Sequence, residues 1–124
     1  MSDRVRRAEP LLLIAVGGFA GATCRFLLDG ALPTGFPWGT LAVNVLGSFA
    51  LGLLLYENRL VGALSPETRL VLGTGFLSSF TTYSTFAVET SELAPLLAAA
   101  NVAANYTLGL VAVLLGRVAA RMLS

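Results

Sequence analysis

The chain has 124 residues, 56% hydrophobic and 12% charged, with a net charge of +1, no histidine and one cysteine, Cys24. A soluble domain of this size needs a larger charged surface, so lipid is the expected solvent for most of this one. The balance excludes a nucleic-acid partner, and the missing histidine and second cysteine remove the common metal sites, His-dependent triads and any intrachain disulfide. Without His or Lys to activate its Ser hydroxyls, the chain is not read as an enzyme.

Hydrophobic segments predict one all-α membrane domain over residues 1–124, with four spans near the roughly 20 residues that cross the hydrocarbon. The first covers about 11–32. Arg4, Arg6 and Arg7 before it imitate a secretory signal, but no A-x-A-type site ends the run and Arg25 and Asp29 follow it, so it reads as a retained span. Gly17 and Gly21, and more weakly Gly18 and Ala22, have the spacing that lets helix backbones approach in lipid. Cys24 is expected to fill space as a small buried residue. Arg25 and Asp29, four apart, either pair in a vestibule or snorkel to the surface. Pro33, Gly35 and Pro37 mark a turn.

The second span covers about 39–56, with Trp38 and Tyr56 as interfacial anchors. Thr40, Asn44, Ser48 and Gly52 share one small or polar face. Two readings of Asn44 stay open: its two N–H donors replace water around an anion, or they make an interhelical hydrogen bond. Ser65 as N-cap and Pro66 at the first helical position open the third span, about 67–90. Six of the eight residues from Ser78 to Thr85 carry Ser or Thr hydroxyls, and the other two are aromatic. Lipid cannot satisfy so many donors, so this segment must face protein or water, and a break is predicted near Ser78 to Thr82. Phe80, Tyr83 and Phe86 follow helical spacing. Their ring edges, with the hydroxyls of Thr82, Ser84 and Thr85, suit a dehydrated anion without holding it too tightly. Glu89, one turn on, faces either an aqueous entrance or solvent. The fourth span, about 95–117, starts at Pro95 and aligns Asn101, Asn105 and Gly109 on one face, beside Tyr106.

All eight basic residues are arginines, and seven of them fall on one side of a four-span chain, Arg25 being the other. The positive-inside rule then predicts a multi-pass protein of the plasma (cell inner) membrane with both termini cytoplasmic.

Three ordered stretches carry a resemblance: Gly17–Arg25, Gly39–Phe49 and Thr81–Phe86. Together they resemble the Fluc (CrcB) fluoride channel family over essentially the whole chain. The resemblance implies an antiparallel (inverted) dimer of four-helix subunits with two narrow pores, passively exporting fluoride that entered as HF. It implies an ion path at Asn44, Tyr83 and Phe86, a polar track at Asn101, Asn105 and Gly109, and path roles for Arg25 and Glu89. It also implies a central Na+ held by the backbone carbonyls of Ser78 and Thr81. Three positions depart from the family pattern: Tyr83 replaces a Phe, Ser78-Ser79 a Gly-Gly pair, and Gly109 a residue with a side chain. With the arginine bias, these departures leave two expectations: a homodimer, or a heterodimer with a paralogous subunit inserted the other way. A small multidrug-type proton-coupled exporter is the alternative, but it needs a membrane-embedded carboxylate and residues 11–24 contain none.

Overall fold

The computed structural model describes residues 2–124, and all their regular structure is helical. Helix α1 (Asp3–Ala31) begins at Ser2, whose hydroxyl accepts the Val5 N–H at 3.4 Å. It starts eight residues before the expected span at 11. Pro10, inside the helix, separates an exposed charged first part from the apolar remainder. Helix α2 (Trp38–Leu60) follows the turn at Pro33–Pro37 and closes at Gly62, whose φ of +64° lets its N–H reach the Glu57 carbonyl at 2.7 Å. Glu57 is buried, and its Oε1 accepts the N–H groups of Ala63 (2.6 Å) and Leu64 (3.1 Å), so it clasps the loop to the next element.

The third segment comes in pieces. Helix α3 (Pro66–Arg69) is capped by Ser65, which accepts the Thr68 N–H at 3.2 Å, as the Ser-Pro pair predicts. It passes into a π-helical stretch, Leu70–Leu77, and then α4 (Ser78–Phe80). Residues 81–83 are non-helical, and α5 (Ser84–Glu92) resumes. Helix α6 (Pro95–Met122) completes the chain and runs beyond the expected end at 117. Helices α1, α2 and α6 are each long and apolar enough to cross a membrane. With the bent third segment they make the all-α, four-segment membrane fold expected from the sequence.

Two close pairings build the fold. The glycine face of α1 lies against the π-helical stretch: a Cβ at Gly17 would strike the Val71 carbonyl, and one at Gly21 the Phe76 carbonyl. Helix α2 packs on α6 with a constant offset of 61 residues. Asn44 meets Asn105, Ser48 faces Gly109, Gly52 abuts Val113, and the Arg117 guanidinium lies 5.1 Å from the Tyr56 ring centre. The two helices therefore run parallel, which brings the polar face of one to the polar face of the other. Cys24 corrects one expectation: it is exposed on α1, because the buried face of that helix is taken by the glycines.

Candidate functional site

Where the third segment breaks, an open groove of about 630 Å³ lies between α2, the break and α6. Its polar walls come from Asn44, Ser48, Ser78, Thr81, Thr82 and Asn105, and its aromatic walls from Tyr83, Phe86 and Tyr106. No Asp, Glu, Lys or Arg lines it. Phe86 is buried, whereas Tyr83 is 73% exposed at the open side. The rings touch in sequence: Tyr83 and Phe86 centroids are 6.0 Å apart, and Phe86 meets Tyr106 edge to face at 6.2 Å and 78°.

The break has a specific cause. In an unbroken helix the Thr82 N–H would donate to the Ser78 carbonyl, and the Thr85 N–H to that of Thr81. Here the Thr82 N–H donates to Asn44 Oδ1 at 2.9 Å, and the Thr85 N–H to Thr82 Oγ1 at 3.2 Å. Two side chains thus take the donors, and the carbonyls of Ser78 and Thr81 are released from the helical ladder. The backbone needs no glycine for this. Ser78 is helical (φ −66°, ψ −25°) and Thr81 extended (φ −81°, ψ 160°), and no non-glycine among the described residues has positive φ. Ser78-Ser79 is therefore accommodated at the break without strain. The Ser78 hydroxyl turns back onto its own helix, donating to the carbonyls of Thr74 and, at 3.2 Å, Gly75.

Asn44 lines the groove, but both its amide protons are engaged within the chain. Its Nδ2 donates to the Thr82 carbonyl at 3.0 Å and to Asn105 Oδ1 at 3.2 Å. Asn105 Nδ2 donates in turn to the Asn101 carbonyl (2.9 Å) and Oδ1 (3.0 Å). Asn101 Nδ2 donates to Thr90 Oγ1 at 2.9 Å, and the Thr90 hydroxyl donates to the Phe86 carbonyl at 2.7 Å. Asn44 is thus a fixed dipole in the wall.

The remaining expected residues lie around the groove. Asn101 is fully buried behind it. Ser84 and Thr85 are exposed on the first turn of α5 and do not line it. Glu89 accepts a hydrogen bond from the Thr40 hydroxyl and ties α5 to α2. Arg25 is half-buried on α1; among the described residues the one salt bridge is Arg69 to Glu57 at 3.8 Å, so Arg25 and Asp29 do not pair. Asp29 instead sits against Gly39. Tyr106 and Ser48 line the groove although sequence reasoning gave them no path role. Their signal was present: Tyr106 follows Asn105, and Ser48 stands one turn after Asn44. Gly109, which lacks a side chain, leaves open the space beside the Ser48 hydroxyl.

A small multi-pass membrane protein whose broken third segment walls a neutral, hydroxyl- and ring-lined groove is the class that fold and site define. The family model described as CrcB-like protein, Camphor Resistance (CrcB), matches residues 12–117. The chain is 58% identical over 111 residues to the "Fluoride-specific ion channel FluC 1" of Natronomonas pharaonis, covering 90% of this chain and 93% of that one. Against the protein of the same name from Haloarcula marismortui it is 54% identical over 114 residues, covering 92% and 87%. Against "Fluoride-specific ion channel FluC 2" of Methanosarcina barkeri it is 43% identical over 124 residues, covering 100% and 97%. The chain belongs to the CrcB family.

Proposed function

We propose that this chain is a subunit of a fluoride-selective channel that lets fluoride leave the cytoplasm passively and so relieves its toxicity. The observation that carries the reading is the groove itself: dipoles and ring edges line it, and no fixed charge does. A small, strongly hydrated anion needs many modest donors to replace its water. A cationic side chain would bind it too firmly for release. The hydroxyls of Ser48, Tyr83 and Tyr106 and the edges of Phe86 supply such partners, and the names of the relatives support fluoride as the ion. Residues 11–24 of α1 hold no carboxylate for proton-coupled export, and Glu89 is bound to Thr40.

The open groove and the exposed Tyr83 call for a second subunit to close the path, in an antiparallel dimer. Seven arginines on one side give this chain a strong orientation preference, with both termini in the cytoplasm of a plasma-membrane protein. The inverted partner is then a related chain with the opposite bias. The freed carbonyls of Ser78 and Thr81 suit a Na+ ion shared at such an interface: hard cations take oxygen ligands, and carbonyl ligation tolerates Ser in place of Gly. The ion would tie the two breaks together.

Fluoride release from loaded liposomes, followed with a fluoride electrode, tests the reading. Liposomes holding this chain with an inverted partner release fluoride. Failure to release it with either a natural or an engineered inverted partner would remove the channel assignment.

A further inference from the structure

Asn101 is 0% exposed and lies outside the groove, yet it connects both ends of the segment that bears Tyr83 and Phe86. The polarity of its hydrogen bonds is set from two directions. A backbone N–H only donates, so Asn44 must turn Oδ1 to the Thr82 N–H and Nδ2 to Asn105. Asn105 then presents Oδ1 to Asn44 and Nδ2 to Asn101. From the other end, the Phe86 carbonyl only accepts, so the Thr90 hydroxyl proton points at it and Thr90 Oγ1 must accept from Asn101 Nδ2. The two constraints meet at Asn101 and agree: its oxygen faces Asn105 and its NH2 faces Thr90. One run of donors therefore starts at the Thr82 amide, passes through three asparagines and a threonine, and ends at the Phe86 carbonyl. Tyr83 lies between those two anchors.

We infer that Asn101 is a positioning residue for the ion path: buried behind the groove, it transmits a fixed hydrogen-bond polarity from α6 to α5 and so holds the rings of Tyr83 and Phe86 in the groove wall without touching the ion. Helix α5 depends on such ties, since among the described residues its other side-chain link to the bundle is the Thr40–Glu89 bond. Only a side chain with one acceptor and one donor group at position 101 satisfies both neighbours; leucine offers neither. The inference rests on the channel reading for the path it names, but the geometry it asserts can be measured apart from conduction.

The test uses the full chain with its inverted partner in lipid and two readouts: amide hydrogen exchange over residues 81–87, and the ratio of fluoride to chloride release. Asn101→Leu and Thr90→Val each speed exchange in that segment roughly tenfold, the effect of losing a buried hydrogen bond, and lower the fluoride-to-chloride ratio. The double variant is no worse than either single one, and Thr90→Ser, which keeps the hydroxyl, restores both readouts. Unchanged exchange in Thr90→Val overturns the inference. So does loss of flux in Asn101→Leu with wild-type flux in Thr90→Val, the pattern of an asparagine that touches the ion itself. A fall in folded protein with an unaltered ion ratio in what remains also overturns it, leaving Asn101 a purely structural role. If the unsubstituted protein conducts no fluoride, the channel assignment fails while the exchange data still decide whether Asn101 positions α5.

Discussion

At the residue scale, Asn44 does two things with one amide. It caps the broken backbone at Thr82 through both its oxygen and its nitrogen, and it hydrogen-bonds to Asn105 across the α2–α6 seam. The two contributions differ in size. An interhelical side-chain bond in a membrane averages about 0.6 kcal/mol, because the separated helices find other partners. A buried backbone group left without a partner costs about 1–3 kcal/mol. The cap at Thr82 therefore outweighs the bond to Asn105. Asn44→Asp puts a carboxylate oxygen opposite the Thr82 carbonyl and Asn105 Oδ1, and places negative charge on the proposed anion route. Fluoride release measured in liposomes is expected to fall below detection. Phe86→Ile removes the buried ring that touches both Tyr83 and Tyr106 and is expected to cut release severely, with the folded dimer retained on gel filtration. Wild-type release from both variants would place the path elsewhere.

At the element scale, the contacts between helices are set by backbone approach. Gly21 admits the Phe76 carbonyl where any side chain would collide, whereas nothing lies within 4 Å of a Cβ at Gly30 on the same helix. Gly21→Val is thus expected to cost about 1–3 kcal/mol as overpacking, seen as a lower midpoint of thermal unfolding in detergent. Gly30→Ala is expected to leave the midpoint unchanged or slightly raised. Equal effects would show that the glycine face of α1 does not carry the packing.

Much of this level was legible in the sequence. Ser65-Pro66, Pro95 and the Pro33–Pro37 turn announce element ends through local backbone chemistry, and the density of hydroxyls announced a break within a few residues of 81–83. The π-helical stretch at Leu70–Leu77, which packs against the glycine face of α1, was not legible, because a widened helical turn has no residue-type signature. Nor was the network through Asn101. Sequence periodicity puts Asn101 and Asn105 on one face, but which atoms they meet depends on the 61-residue offset between α2 and α6, a product of docking. Cys24 was misjudged for the same reason: composition marks it as a small apolar residue, and only the packing of α1 decides which of its faces is covered.

At the scale of the whole molecule, the proposed reading makes the chain one half of an assembly. Its groove is open, Tyr83 stands out from it, and large apolar side chains such as Phe19 and Phe26 are 77% and 76% exposed along α1. Lipid or a second subunit must cover such surfaces. On the proposed reading the arginine distribution favours one orientation, so the chain expressed alone is expected to insert uniformly and release no fluoride. Coexpression with a copy whose arginines are moved to the opposite loops is expected to restore release. Robust flux from the unaltered chain alone would remove the heterodimer and leave a homodimer that inserts both ways.

The central claim is that neutral dipoles and ring edges, in place of cationic groups, strip and carry a small hydrated anion along this groove. Parallel recording of fluoride and chloride release from liposomes holding the chain with its inverted partner tests it most directly. The account predicts rapid fluoride release with chloride retained. Chloride leaving as fast as fluoride, or fluoride staying inside, would contradict it.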